Sequence, residues 1–318
     1  MKILRSLPAT ASDQPCALAI GNFDGVHRGH VALLEHLGAE ALASGMVSTV
    51  LTFYPHPRQF FALRENRTAD APTTITALRS KLAAIAKTGV ERTVLLRFDE
   101  NLAELTAEEF IENILVDRLN VKWLLVGEAF RFGKDRYGTT GKLAQAAKKY
   151  GFHLQIMPQV MENGDRISSS AVRDALKNND FVRAGNLLGQ PYHISGHVIH
   201  GDKRGRLLGF PTINLPMRHF NPILSGVYIT LVHGLRENPL PAVSMIGHRR
   251  SVDEVPRVVL ETHILHYNED CYGALVQVEF LKKLRDNQKF ASLQALSAAI
   301  GQDIQHADAF FAGERRRD

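Results

Sequence analysis

His27 and His30 stand three residues apart, with Gly29 between them, in the segment GNFDGVHRGH from Gly21 to His30. The segment follows an apolar, strand-like run, Cys16–Gly21, and leads into a helical stripe, so both imidazoles fall at a helix N-terminus. Free amide N–H groups and the helix dipole favour an anion there. Two imidazoles so placed can donate to phosphate oxygens as charge grows in a transition state. Gly21 and Gly25 permit a tight strand-to-helix turn, and Gly29 lets substrate or backbone come close. A metal pair or two surface histidines share the spacing, although a metal pair more often uses i, i+4 with a third ligand nearby. The preceding Asn22, Phe23 and Asp24 supply a context that favours the phosphate reading.

A second segment, GDKRGRLLGFPTINLP, runs from Gly201 to Pro216. Lys203, Arg204 and Arg206, set among Gly201, Gly205 and Gly209, can wrap phosphates with cations and backbone N–H groups. The GK[ST] of a Walker A loop is absent. Thr212 and Asn214 are two apart, so in an extended segment their oxygens point the same way. Neutral oxygens of that kind suit Mg²⁺, which takes few protein ligands and keeps nucleotide phosphates and water. A plain structural turn is the alternative, but GFPTIN, with Pro211, is longer than a turn requires. Between the two segments, Ile167 to Arg173 reads ISSSAVR. Ser169 and Ser170 can cap a helix and Arg173 can clamp a phosphate, although an ordinary cap with a surface arginine would look the same.

The elements that must position these residues change character halfway along the chain. In the first half, Cys16–Gly21, Val47–Phe53, Arg92–Phe98, Lys122–Glu128 and His153–Val160 read as strands. Helical patterns lie between them at His30–Ser44, Thr76–Thr88, Ala107–Leu119 and Lys142–Tyr150. Thr106 and Glu109 have the spacing of a capping box. Such alternation predicts an α/β domain with a parallel sheet, whose ligands bind beyond the carboxyl ends of the strands. From Tyr192 onward, Ile194–His200, Val227–His233, Ala242–Ile246, Val258–His266 and Ala274–Leu284 read as strands separated by Gly and Pro. That predicts a small antiparallel barrel, closed by a terminal helix over Ser292–Phe311. The boundary is expected near Leu187–Pro191, giving domains 1–186 and 187–318.

Composition narrows the classes. The 318 residues carry 38 Lys and Arg against 33 Asp and Glu, a net charge of +5, and 45% are hydrophobic, which excludes a disordered chain. Two cysteines far apart, Cys16 and Cys271, argue against a disulfide framework or zinc site and for a reducing, cytoplasmic setting. No apolar stretch reaches membrane-spanning length, and no signal peptide is read. The basic residues are scattered except for Arg315, Arg316 and Arg317, a pattern that suits anionic small molecules at least as well as a polymer.

With these segments in order, the chain resembles the bifunctional riboflavin kinase/FAD synthetase family of prokaryotes, over roughly Cys16 to Phe311. GNFDGVHRGH matches the phosphate motif of the adenylyltransferase module, and ISSSAVR its ISSTxxR motif with Ser170 in place of Thr. Phe53 to Pro57 matches the family's FxPHP turn, and Gly127 to Gly133 its GxDFRFG loop, with Ala129 where Asp or Asn is usual. GxxxGFPTxN matches the kinase module. The resemblance implies a nucleotidyltransferase-like (Rossmann-like) first domain and a riboflavin kinase barrel. It implies two reactions, ATP with riboflavin giving FMN, then ATP with FMN giving FAD and pyrophosphate. ATP, riboflavin and FMN are the implied partners, with no nucleic acid or membrane partner and an open oligomeric state. His27, His30, Ser169, Ser170 and Arg173 would handle the triphosphate, and Thr212 and Asn214 would hold Mg²⁺-ATP. Glu261, which spacing alone makes an exposed strand carboxylate, would be the kinase base. Phe53, His56, Pro57, Phe130, Phe132 and Arg285 would lie on the flavin side. The chain departs from the family at Ala129, at Met245 and Arg250 in the NIGxRPT segment, and at Asn287 in LRDExKF. A relative retaining one activity, and a flavin- or RNA-binding module without chemistry, are the competing readings. No aromatic-interleaved basic strand supports the RNA reading.

Overall fold

The computed structural model describes residues 1–67, 71–162, 165–201, 205, 209–217, 221–249 and 257–314. They form two compact units, Met1–Pro72 with Leu78–Ser169, and Thr73–Ala77 with the chain from Ser170 onward.

The first unit is a parallel sheet. Its strands are β1 (Lys2–Leu4), β2 (Cys16–Ile20), β3 (Val47–Tyr54), β4 (Arg92–Arg97), β5 (Val121–Gly127) and β6 (His153–Met157), in the order β1-β4-β3-β2-β5-β6. Every residue of β2 is buried, as expected of a strand covered on both faces. Cys16, Leu18 and Ile20 enter one core with Leu51, Val94 and Leu124, while Ala17 and Ala19 enter the other with Val50, Trp123 and Leu125. Period-two alternation thus feeds two cores from one short strand. The helices are α1 (Arg28–Ala43), α2 (Pro57–Arg64), α3 (Leu78–Lys87), α4 (Glu100–Glu104), α5 (Ala107–Glu109) and α6 (Thr140–Tyr150). The capping box at Thr106 and Glu109 is present. Beyond it, Phe110–Val116 widens into a π-helix, where the sequence predicts an α-helix to Leu119. The wider turn buries Phe110, Ile111, Ile114 and Leu115 together. The chain runs from β2 toward β3 on one side and returns to β5 on the other. That leaves a switch point beside β2, where the loops after β2 and β5 part. A two-stranded ribbon, β7 (Met161–Glu162) with β8 (Asp165–Arg166), follows β6.

The second unit begins with α7 (Ser169–Lys177) and α8 (Phe181–Leu188). Phe181 of α8 packs against Tyr228 and Phe280. The strands β9 (His193–His197), β10 (Ile213–Pro216), β11 (Gly226–His233), β12 (Leu240–Arg249), β13 (Arg257–Ile264) and β14 (Leu275–Arg285) form an antiparallel sheet in the order β10-β13-β12-β11-β14-β9. A bridge from Ile199 to Asn214 brings the two edges together, so the sheet is a nearly closed barrel, which leaves few free edges. Inside, Thr230, Ser244 and Thr262 are fully buried and joined hydroxyl to hydroxyl at 2.7 and 2.8 Å. Helix α9 (Leu293–Glu314) covers the outer face through Ala307, Ile304 and Phe310, against Val227, Ile229 and Val243. The four-residue β10 is not among the strands read from sequence: it is short and bounded by prolines, and it carries the GFPTIN segment.

Candidate active site

In the first unit, His27 is the N-cap of α1: its extended backbone lets the ring Nδ1 accept from the His30 N–H at 3.3 Å. In the neutral ring that bond leaves the proton on Nε2. The two imidazoles stack, with centroids 3.7 Å apart and planes 16° from parallel. Gly29 is required by this packing, because a Cβ there would lie 3.2 Å from His27 Nδ1. The edge of Phe23 or His30 meets the other's ring at 5.1 Å. The turn before the helix takes positive φ at Phe23, Gly25 and Val26, costly for Val26 in particular. Burial, with the positive charge of His27 and Lys81 second, holds His30 well below the ordinary histidine value. Its Nδ1 is buried and has no hydrogen-bond partner. A buried ring nitrogen without a partner costs free energy until something enters to bond it.

What can enter is set by a cleft at the switch point. His27, Gly29, His30 and Leu33 line it from α1, Gly127 to Phe130 from beyond β5, and Met157 to Val160 with Arg166 and Ile167 from beyond β6. Its volume of about 210 Å³ is below the roughly 300–1,000 Å³ of a site for a whole ligand of this size. It has an apolar wall at Leu33, Met157 and Val160 and polar groups at His27, His30 and Arg166. Arg166 escapes the sequence reading, being one residue before the motif singled out there. Ala129, the departure in the GxDFRFG-like loop, lies on the wall beside Glu128. Ser169 donates from Oγ to the Asp24 carbonyl at 2.9 Å, joining the serine motif to the histidine loop. Ser170 and Arg173 fall in the second unit, where the Arg173 Nε donates to the Thr73 carbonyl at 2.8 Å.

Among the residues expected to face a flavin, His56 caps α2 and Pro57 opens it. Phe53 meets the ring of Phe98, which also meets Phe60 and Phe61, all within 6 Å and edge to face. Phe60, Phe61 and Phe98 were legible only as hydrophobic residues. Phe130 stacks on Phe132, but Phe132 is itself buried against Phe110, so Phe130 alone faces the cleft.

In the second unit the register of β10 and β13 places Asn214 directly opposite Glu261, and Glu261 opposite Met245 of β12. Directly opposed residues share a face with Cβ atoms about 4.5–5.5 Å apart. The glycines keep this corner open. A Cβ on Gly201 would fall within 3 Å of three atoms of the Asn214 side chain, and one on Gly205 would strike the Phe210 carbonyl and lie 3.4 Å from Thr212 Oγ1. His263 bonds the Pro211 carbonyl through Nδ1 at 2.7 Å, fixing the chain before Thr212. The hydroxyl of Thr212, the amide oxygen of Asn214 and the carboxylate of Glu261 are hard oxygen donors, the kind that Mg²⁺ takes. Among the described residues no group of three or more His, Cys, Asp or Glu is arranged as a metal cluster. Gly209 takes φ +86°, as its place in the turn demands. Lys203, Arg204, Arg206 and Arg250 lie outside the described residues.

Arg285 is occupied elsewhere: its guanidinium grips Asp303 of α9 through Nε at 3.0 Å and Nη2 at 2.7 Å. Asn287 donates from its amide to the Ile246 carbonyl and to Ser225 Oγ, which a glutamate could not do. Neither cysteine competes for a catalytic role. Burial pushes the Cys16 thiol up to about 11 and raises Cys271, so both stay protonated at neutral pH.

The chain thus joins a parallel α/β unit with two stacked histidines at a helix N-terminus to an antiparallel barrel in which Asn214 lies opposite Glu261. Comparison with known proteins makes this specific. The family model described as FAD synthetase matches residues 9–171, and that described as Riboflavin kinase matches residues 188–311. The bifunctional riboflavin kinase/FMN adenylyltransferase of Escherichia coli K12 is 44% identical over 313 residues, covering 98% of each chain. The proteins of that name from Pseudomonas fluorescens and Haemophilus influenzae are 40% and 39% identical, covering 95% and 98% of this chain. The chain therefore belongs to the bifunctional riboflavin kinase/FMN adenylyltransferase family, with one domain for each activity. A crystal structure titled a macrolide-efflux protein, from Streptococcus pneumoniae, shares the fold over 96% of this chain and 98% of its own, with a TM-score of 0.74 and 28% identity. That likeness extends the shared architecture over both units. No helix among the described residues is long and apolar enough to cross a membrane.

Proposed function

We propose that the second unit transfers the γ-phosphoryl group of ATP to the riboflavin 5′-hydroxyl, giving FMN and ADP, and that the first transfers AMP from a second ATP to FMN, giving FAD and pyrophosphate. The observation that carries this reading is the pair of unlike clusters, one in each unit: the stacked imidazoles of His27 and His30, and Asn214 opposite Glu261.

In the kinase step, Glu261 takes the proton of the attacking hydroxyl, and Thr212 and Asn214 hold Mg²⁺ beside it. Bound there, Mg²⁺ would neutralise charge on the transferring phosphates. Gly201, Gly205, Gly209 and Pro211 shape the loop over the phosphates, and Lys203 and Arg206 add charge. In the adenylyl step, the FMN phosphate attacks the α-phosphorus in line, and negative charge builds on the departing β,γ-phosphates. His27 donates from Nε2 to them. An incoming triphosphate opposes the depression of His30, so the unpartnered Nδ1 can take up a proton and donate as well. Gly21, Asn22, Phe23, Asp24, Gly25 and Gly29 form the loop around these oxygens. Arg166 lies in the same cleft, and Ser169 is tied to the histidine loop through the Asp24 carbonyl; the family resemblance adds Ser170 and Arg173 to the triphosphate set. Phe53, with the rings behind it, His56, Pro57 and Phe130 face the isoalloxazine, Phe132 backs Phe130, and Arg285 steadies the flavin side by anchoring α9.

The matched ranges 9–171 and 188–311 support domains 1–186 and 187–318. The two cysteines, neither in a disulfide, support a cytoplasmic setting. The testing experiment incubates the chain with riboflavin, ATP and Mg²⁺ and separates the products by chromatography. FMN followed by FAD is expected. FMN alone would leave a kinase with a silent first unit, and neither product would leave a binding protein.

A further inference from the structure

Lys81, on α3, lies outside every motif, yet it is 8% exposed and sits under the first site. Its Nζ donates to the Asn22 carbonyl at 3.1 Å, to Thr52 Oγ1 at 3.1 Å and to the Phe53 carbonyl at 3.2 Å. Thr52 in turn donates to the same Asn22 carbonyl. Asn22 lies at the start of the loop that leads to His27, and Phe53 is the second-last residue of β3, which leads to the His56–Pro57 turn. A three-donor ammonium thus joins the ends of β2 and β3, where the phosphate-side and flavin-side segments leave the sheet. We propose that Lys81 is a positioning residue for adenylyl transfer, its protonated amine setting the distance between the segment that grips the triphosphate and the one that holds FMN. This inference rests on the adenylylation reading above.

The chemistry makes the device sensitive to protonation. An ammonium has three N–H donors for three acceptors, whereas a neutral amine has two and leaves one buried acceptor unpaired. Burial pulls Lys81 down to about 8, while Asp24 opposes the fall. Lys81 in turn is one of the positive charges that, after burial and His27, hold His30 well below its usual range, so His30 stays neutral above pH 7 in the free site. Adenylylation should therefore decline as pH rises through about 8.

The test compares wild type with Lys81→Met and Lys81→Arg in the full chain. FMN-to-FAD conversion is followed from pH 7 to pH 9, with riboflavin phosphorylation in the same samples as the internal control. Wild type is expected to lose most of its adenylylation between pH 7 and pH 9. Lys81→Met at pH 7 should lose about a hundredfold in kcat/KM for FMN, show no further alkaline fall, and phosphorylate riboflavin at the wild-type rate. Lys81→Arg should recover part of the loss and keep it at pH 9. Lys81→Met with wild-type constants, or a wild-type adenylylation profile flat to pH 9, overturns this inference alone. A wild-type protein that makes no FAD overturns the adenylylation reading as well.

Discussion

The two units solve one problem, holding a polyphosphate, with opposite materials. The first uses loops beyond the carboxyl ends of parallel strands, where a helix begins and two rings stack over a glycine. The second uses strand residues themselves, with register as the positioning device and glycines as the space beside them. In the first, buried nitrogen and an ammonium underneath make the site electrostatically tense before any ligand arrives. In the second, Thr212 and Glu261 are partly exposed and Asn214 is buried. A helix N-terminus supplies donors in the unit matched by the FAD synthetase family, and a strand pair supplies acceptors in the unit matched by the riboflavin kinase family.

This contrast can be broken at its strongest point. Glu261→Gln should lower riboflavin phosphorylation about 10²- to 10⁴-fold, the usual worth of a general base, while FAD formation from supplied FMN continues. Rate measurement with each substrate separately checks it, and equal loss in both reactions would mean that the sites are not independent. His30→Ala should do the reverse, reducing adenylylation about 10²- to 10³-fold and leaving the kinase untouched. Gly201→Ala sharpens the contrast further. The new methyl pushes the Asn214 side chain aside, so the kinase should lose about tenfold to a hundredfold, mostly as a raised KM for Mg²⁺-ATP in steady-state titrations. The smallest effect is expected at Met245, directly opposite Glu261. Met245→Asn brings an amide within reach of the carboxylate and should change kinase kcat about two- to tenfold, the worth of one hydrogen bond.

Sequence legibility followed the same divide. The parallel sheet is readable because its central strand is a continuous apolar run and apolar, β-branched segments alternate with helical stripes, and β2, β3 and β4 lie within a residue of where the pattern puts them. The three-residue β1 and the four-residue β10 are too short for periodicity to register. Motif residues were legible where chemistry and turn geometry coincide, as at Gly29. Lys81 and Arg166 were not, because a lone cation in a helix or ribbon has no spacing to read, and only folding brings it beneath a site. Arg285 and Phe132 show the converse. Their segment pointed to the flavin, but the side chains are engaged with Asp303 and with the core. Asn287, read as a lost carboxylate, is a donor that ties its loop to β12.

The hydroxyl ladder of Thr230, Ser244 and Thr262 bears on how the barrel is assembled. Sliding β12 past either neighbour by a single position would turn Ser244 outward and strand two alcohols in an oily interior with nothing to bond. Mispaired alignments of β11, β12 and β13 are thereby penalised, and the alignment that satisfies all three alcohols is the one that sets Met245 opposite Glu261.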